Sequence, residues 1–150
     1  MKIVIQRVRR ASVTIDGSLK SSIGMGMLIL LGVAEGDTEE DLEWLVKKAE
    51  ALRIFNDAEG VMNLDVLQVG GEVMVISQFT LLASTKKGNR PSYIHAAHPT
   101  LSVPLYERFC RRMSEELGRE VATGQFGADM KVELVNDGPV TICIDSKNRQ

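Results

Sequence analysis

The chain has 150 residues, 44% apolar and 25% charged, with 18 basic and 20 acidic side chains. That length suits one domain, residues 1–150, able to bury roughly 70% of its unfolded surface, and the composition is that of a globular protein. A net charge of −2 argues against a globally basic nucleic-acid binder, and no apolar run reaches the ~20 residues of a membrane span.

Met1-Lys2-Ile3-Val4-Ile5-Gln6-Arg7 alternates from its first residue and lacks the form of a signal peptide. The sequence therefore reads as soluble and cytoplasmic, with no membrane partner. Two short strands are predicted over Ile3–Val8 and Ala11–Ile15, with Asp16-Gly17 as a hairpin turn. Met27–Val33 is a continuous apolar run, the pattern of a strand buried on both faces. Asp37-Thr38-Glu39-Glu40-Asp41 starts a helix, with Asp37 or Thr38 as cap and the acids suited to the positive end of its dipole. Leu42, Leu45, Val46, Ala49 and Leu52 recur at helical spacing. A strand near Leu52–Phe55 and a turn at Asn56-Asp57 follow. Glu72–Thr80 reads as a strand with Val73, Val75 and Phe79 on one face and Met74 and Ile76 on the other.

A second helix is predicted from near Ser102, with Pro104 in its first turn, through Leu105, Phe109, Met113 and Leu117 to Gly118. Met130–Val135 and Val140–Ile144 read as two closing strands around an Asn136–Pro139 turn. The pattern is mixed α/β, with helices covering a sheet. Cys110 and Cys143 lie in apolar-periodic segments and read as two buried free thiols. His95 and His98 form a lone H-x-x-H in a loop, without the three or four ligands zinc requires, so no metal is expected.

Three segments could carry chemistry. On an unbroken strand, Gln78 and Thr80 would share a pocket-facing side. Ser77-Gln78-Phe79-Thr80 is then either a polar strand end or a site. As a nucleophile Thr80 would need a base, and none stands at a suggestive spacing, which leaves only His95 or His98 brought close by the fold. Gly138-Pro139 is either a plain trans connection or a rigid loop aiming carbonyls outward, because glycine allows close approach and proline removes a donor. Ala122–Met130 holds small residues and two glycines before a strand, either an irregular loop or a place where a ligand comes close. Three basic clusters, Arg7 with Arg9 and Arg10, Lys86 and Lys87 with Arg90, and Lys147 with Arg149, are either solvated surface or a phosphate-facing patch.

Taken in order, these segments resemble the D-aminoacyl-tRNA deacylase family, formerly called D-tyrosyl-tRNA deacylases. The resemblance runs end to end: Gln6-Arg7-Val8, Ala11-Ser12-Val13, Leu52-Arg53-Ile54-Phe55, Met62-Asn63, Ser77-Gln78-Phe79-Thr80-Leu81, Lys87-Gly88, Arg90-Pro91-Ser92, Phe126-Gly127-Ala128-Asp129-Met130 and Asn136-Asp137-Gly138-Pro139-Val140-Thr141. Leu82 and Ser84 depart from the Tyr and Asp often found after the first motif, and Tyr93 stands where Phe is common. The resemblance implies a homodimeric three-layer α/β/β domain, two main helices over mixed sheets, with active sites at the subunit interface and no cofactor.

By the same resemblance, Thr80 and Phe79 are catalytic, and Ser77, Gln78 and Met130 bind the aminoacyl end and terminal adenosine of tRNA. Gly138 and Pro139 match a Gly-cisPro motif that enters the partner subunit's pocket and selects chirality. Arg7, Lys86, Lys87 and Arg90 are candidate tRNA contacts. Either Thr80 attacks the ester, or water attacks with help from the terminal 2′-OH while Thr80 and amides near Phe79 steady the oxyanion. The second is favoured because no base is evident. Rejection of L-substrates by a rigid obstacle implies that glycyl-tRNA is not excluded. A tRNA-binding module without catalysis and a general small-ester hydrolase are the competing classes.

Overall fold

The computed structural model describes residues 1–150. Eight strands, two helices and one 3-10 turn follow in the order β1 (Lys2–Ile15), β2 (Ser18–Ile23), β3 (Gly26–Gly32), α1 (Glu39–Glu50), β4 (Phe55–Asn56), β5 (Met62–Leu64), β6 (Glu72–Ser77), the turn (Phe79–Leu82), α2 (Pro99–Leu117), β7 (Ala122–Thr123) and β8 (Met130–Asp145). Six strands form one sheet in the order β2-β1-β3-β6-β7, with β8 on the free side of β1. β3, β6 and β7 run parallel to one another, while β1 is antiparallel to β2, β3 and β8.

The sheet is buried on both faces. On one side Ile3, Ile5, Met27, Ile29, Leu31, Val73 and Val75 meet Leu42, Leu45 and Val46 of α1 and Phe109 and Met113 of α2. On the other, Val8, Ala11, Val13, Leu28, Met74 and Ile76 form a second core, closed by Met130, Val132 and Leu134. The alternation along Met27–Leu31 divides between these two cores, as a doubly buried strand requires. The long strands curl so that Ser21 of β2 donates to the Thr123 carbonyl of β7 at 2.7 Å. Helices, sheet and returning strands give the α/β/β order.

The sequence divided two elements that the fold keeps whole. β1 is a single strand of 14 residues. Its break in alternation at Arg9-Arg10 is absorbed as a register shift against β8 and shifts the buried positions from odd to even and back. β8 is likewise one strand of 16 residues, with Asn136–Pro139 as an interruption within it. The strand expected over Leu52–Phe55 shrinks to Phe55–Asn56, paired with β5. The hairpin at Asp16-Gly17 forms with positive φ at both residues, 51° and 76°, the geometry that matches strand twist.

α1 begins as expected, with the Thr38 amide donating to Asp41 Oδ2 at 2.9 Å. α2 begins at Pro99 rather than Ser102. His98 caps it, accepting from the Thr100 amide, and Pro99 occupies the first turn. Pro104 therefore lies inside the helix, on its exposed face, where water can serve the carbonyl it leaves unbonded. Gly118 ends α2 at φ 67°. Cys110 is buried but Cys143 is exposed, which corrects the expectation of two buried thiols. The Met1 α-ammonium is buried against Asp37 at 2.6 Å and Ser146 Oγ at 2.7 Å. No helix is long and apolar enough to cross a membrane.

Candidate functional site

β6 ends at Ser77, not Thr80. Its last rung is the Gln78 amide donating to the Leu31 carbonyl at 2.8 Å. The chain then turns into one 3-10 turn, closed by Leu81 N–H to Gln78 O and Ala83 N–H to Thr80 O. Gly32, at the end of β3, makes room for this turn: a Cβ there would lie 3.0 Å from the Gln78 carbonyl and closer still to the Leu82 side chain. Strand alternation therefore does not place Gln78 beside Thr80. The turn does, and Gln78 Nε2 donates to Thr80 Oγ1. The amides of Phe79 and Thr80 open the turn, and first-turn donors have no partner within their own turn. Both residues are exposed, Phe79 by 56%.

Beside this turn lies a cavity of about 410 Å³, lined mostly by apolar side chains. Ser77, Gln78 and Phe79 form one wall, and Phe126, Ala128 and Met130 form another. Gly124 permits the second wall, since a Cβ there would collide with Met130 Sδ. The third wall comes from α2 and the segment before it. Ala97 is fixed by its amide on the Val33 carbonyl at 3.0 Å, and Tyr106 packs its ring 5.9 Å from Phe126 while its hydroxyl donates to the Val75 carbonyl at 2.9 Å.

No carboxylate, imidazole or amine lines this cavity. His95 and His98 stand outside it, and His98 Nδ1 is occupied at the helix cap. Burial, then the neighbouring Cys110, raises the Tyr106 hydroxyl far above its ordinary range. Burial pushes the Cys110 thiol up to about 12. Both groups stay protonated at neutral pH. No group of three or more His, Cys, Asp or Glu side chains is placed to hold a metal ion. What the site offers is backbone amides, small polar side chains and an apolar slot, a set suited to holding an ester and steadying an oxyanion.

Gly138 and Pro139 do not line their own chain's cavity, and neither does Thr80. The interruption in β8 falls between Asn136, opposite Val8, and Thr141, opposite Gln6. Four residues of β8 thus stand opposite one of β1, and Gly138-Pro139, joined by a cis bond, stand out exposed and unpaired in the ladder. Two side chains hold this loop. The Asn136 amide group accepts from Val140 N–H at 2.8 Å and donates to Val140 O at 3.2 Å. Arg7 donates through Nε to the Asp137 carbonyl at 2.7 Å, and through Nη1 to Ile54 O at 2.6 Å and Asn56 Oδ1 at 3.3 Å. Gly138 is required at its position: φ is 148°, and a Cβ would sit 2.8 Å from Val140 Cγ2.

Arg7 thus differs from its sequence reading. It is only 8% exposed, with its guanidinium turned into the fold, so it holds the loop rather than presenting charge to RNA. Lys86, Lys87 and Arg90 are exposed as expected, on the loop between Ser84 and Ser92. The roles of Asn136, Gly32 and Tyr106 were not foreseen. Asn136 alone left a signal, an amide side chain at the entrance to an Asp-Gly-Pro turn.

The model of the family described as D-Tyr-tRNA(Tyr) deacylase matches residues 4–145. The chain is 67% identical to a D-aminoacyl-tRNA deacylase of Bacteroides thetaiotaomicron and 58% identical to one of Porphyromonas gingivalis, in each case over all 150 residues and the full length of both chains. Among solved structures it is similar to a c-Myc DNA unwinding element binding protein, with a TM-score of 0.91 and 38% identity over 97% of this chain and 98% of that one. A probable eukaryotic D-amino acid tRNA deacylase shares the fold, with a TM-score of 0.82 at 15% identity over 95% and 97% of the two chains.

Proposed function

The chain belongs to the D-Tyr-tRNA(Tyr) deacylase family, and from that premise we propose that it hydrolyses the ester joining a D-amino acid to the terminal ribose of tRNA while sparing the L-aminoacyl ester. The observation that carries this reading is the pair of first-turn amides, Phe79 and Thr80, on an exposed turn beside a mostly apolar cavity free of carboxylates, imidazoles and amines. The terminal adenosine occupies the cavity between Phe126 and Met130, with Ser77 and Gln78 along its wall. The ester carbonyl oxygen faces the two amides.

Water attacks the carbonyl carbon, and the amides bind the developing oxyanion. The bond to the ribose 3′-oxygen breaks, and that oxygen takes its proton with help from the neighbouring 2′-OH. Free tRNA and D-amino acid result. One such oxyanion donor is typically worth about 3–4 kcal/mol of barrier, enough for an ester that is already activated. Thr80, held by Gln78, positions the substrate. This reading uses no base, which agrees with a cavity that holds none.

Handedness is set by the Gly138-Pro139 loop of a second copy of the chain. The loop is exposed, stiffly held by Arg7 and Asn136, and absent from its own chain's cavity, which supports a homodimer with shared sites. Its carbonyls occupy the space an L side chain needs and hold the α-amino group. A contact difference of one methylene discriminates by only about 1–3 kcal/mol, so a fixed obstacle serves better than a tailored pocket. Glycine has no side chain to exclude, and glycyl-tRNA is therefore also cleaved. Lys86, Lys87 and Arg90 meet the tRNA, and the protein acts in the cytoplasm.

The deciding experiment compares D-tyrosyl-tRNA, L-tyrosyl-tRNA and p-nitrophenyl acetate. Rapid cleavage of the D-ester alone is expected. Binding of both tRNAs without turnover would make the protein a tRNA-binding module, and preference for the small ester would make it a general esterase. Sedimentation should show a dimer.

A further inference from the structure

Phe79, part of the cavity wall, is 56% exposed, and Tyr93 beside it is 38% exposed. Phe79 and Tyr93 meet edge to face, with ring centres 5.0 Å apart at 69°, so each ring is fixed by the other. Tyr93 directly follows the neck of a loop closed by two hydrogen bonds, Ser84 N–H to Ser92 O at 2.8 Å and Ser92 N–H to Ser84 O at 2.9 Å. Residues 85–91 between those bonds are all exposed and include Lys86, Lys87 and Arg90 but no acidic residue. None of the three cations has an ion-pair partner, whereas Arg108 and Arg112 of α2 are paired with Glu39 and Glu43.

Exposed aromatic rings beside unpaired cations suit single-stranded nucleic acid. Bases stack on rings without regard to sequence, and cations track the phosphates. Three unneutralised charges on a slightly acidic protein favour an anionic partner here over a second copy of the chain. Resting on the deacylase reading above, we propose that Phe79 and Tyr93 with the 85–91 loop form a landing platform for the unpaired nucleotides preceding the terminal adenosine. A base stacks on the Tyr93 ring, and phosphates lie along Lys86, Lys87 and Arg90. The cavity then reads one nucleoside, while the platform recognises the strand that leads to it.

The test compares D-tyrosyl-tRNA with 3′-O-D-tyrosyl-adenosine, which lacks the preceding nucleotides. For Tyr93→Ala, the loss of kcat/KM on tRNA should exceed the loss on the mononucleoside by about tenfold, in line with one lost base–aromatic stack. Tyr93→Phe, which keeps the ring, should restore it. The triple variant Lys86→Ala, Lys87→Ala, Arg90→Ala should flatten the salt dependence of log kcat/KM on tRNA by about 2 units of slope, at ~0.7 per single-strand phosphate. Equal losses on both substrates would make Tyr93 a wall of the cavity and overturn the platform, as would an unchanged salt slope. Dissociation of the dimer by Tyr93→Ala would also overturn it, assigning the ring to a protein interface. If Tyr93→Ala does not fold, the charge triple, confined to an exposed loop, still decides. Failure of the wild type to cleave D-tyrosyl-tRNA would sink the deacylase reading itself, an outcome separate from all of these.

Discussion

Replacing Arg7 with Lys should loosen chirality more than it slows hydrolysis. The guanidinium donates two short bonds to main-chain carbonyls, at 2.7 Å to Asp137 and 2.6 Å to Ile54, with a third at 3.3 Å to Asn56. Bonds from a charged donor contribute roughly 1.5–3 kcal/mol each. A lysine ammonium has no fork and can serve one carbonyl well, so the net loss is about 1.5–3 kcal/mol. At about 2–4 °C per kcal/mol for a domain of this size, the melting temperature should fall by roughly 3–12 °C. Half of the clamp lies on the Asp137 carbonyl, one residue before Gly138, so much of that energy fixes the loop. Each ~1.4 kcal/mol lost from the loop's preferred position permits a tenfold rise in excursions from it. The L-to-D ratio of kcat/KM, measured on tyrosyl-tRNA, should therefore rise about tenfold or more, with D-activity within a few-fold of wild type. A variant destabilised by the stated amount yet unchanged in L-to-D ratio would refute the reasoning and leave Asn136 as the sole clamp.

Thr80→Ala should retain most deacylase activity, whereas a substrate ending in 2′-deoxyadenosine should lose about 10²-fold or more; full activity on the deoxy substrate with none in Thr80→Ala would restore a threonine nucleophile. Glycyl-tRNA should be hydrolysed, and strict inertness toward it would count against rejection by a backbone obstacle. Asp41 is buried, which by itself raises its carboxyl, but bonds from Lys147, Thr38 and Ser146 outweigh this and hold it well below the ordinary carboxylate range. A depressed folded-state value means stability that is present above the unfolded pKa of ~3.9 and is lost as pH falls through the folded value. Asp41→Asn should thus cost about 2 kcal/mol at pH 7, and urea titrations should show the gap closing below about pH 4. Cys110, with its thiol pushed up to about 12 by burial, should resist iodoacetamide at pH 8 until the protein unfolds.

The regular elements were legible because their periods are long and unbroken. Met27–Leu31 is legible as doubly buried because every residue is apolar, and α1 because four of its apolar positions, Leu42, Leu45, Val46 and Ala49, share one stripe below a capped, acidic start; Leu52, which continues the spacing, lies beyond the helix. β1 was divided because Arg9-Arg10 breaks the period-two pattern, and one bulge in a strand looks the same in sequence as a turn between two. The sequence places the start of α2 late because Pro104 fits the rule for a first-turn proline. Pro99 satisfies that rule, and an exposed face tolerates the second proline. Arg7 was misplaced for a different reason. A guanidinium can be buried where carbonyls receive its N–H groups, and the two that receive Nε and Nη1 of Arg7 lie 130 and 47 residues further along the chain. No local pattern reports such partners.

Both halves of the proposed site lie where a ladder stops. In an intact strand the main-chain N–H and C=O groups are already bonded to neighbours, so a protein that recognises its substrate with backbone must do so where pairing fails. After the Gln78 amide the parallel ladder with β3 gives out, and the next two amides open a 3-10 turn. At Asn136 the antiparallel ladder with β1 opens, and Gly138-Pro139 are freed by extra residues on one strand. Free backbone is costly to fix in place, and each opening accordingly has a buried anchor: Leu82 beneath Gly32 for the first, Arg7 with Asn136 for the second. Hydrophobic periodicity cannot see either opening, since it describes only residues still within a strand. Gly138-Pro139, with the Asn136 amide beside them, mark the second opening as residues that regular strands avoid, whereas the first carries only polar Ser77-Gln78 before Phe79. The resemblance to the family takes in both, within motifs that run the length of the chain.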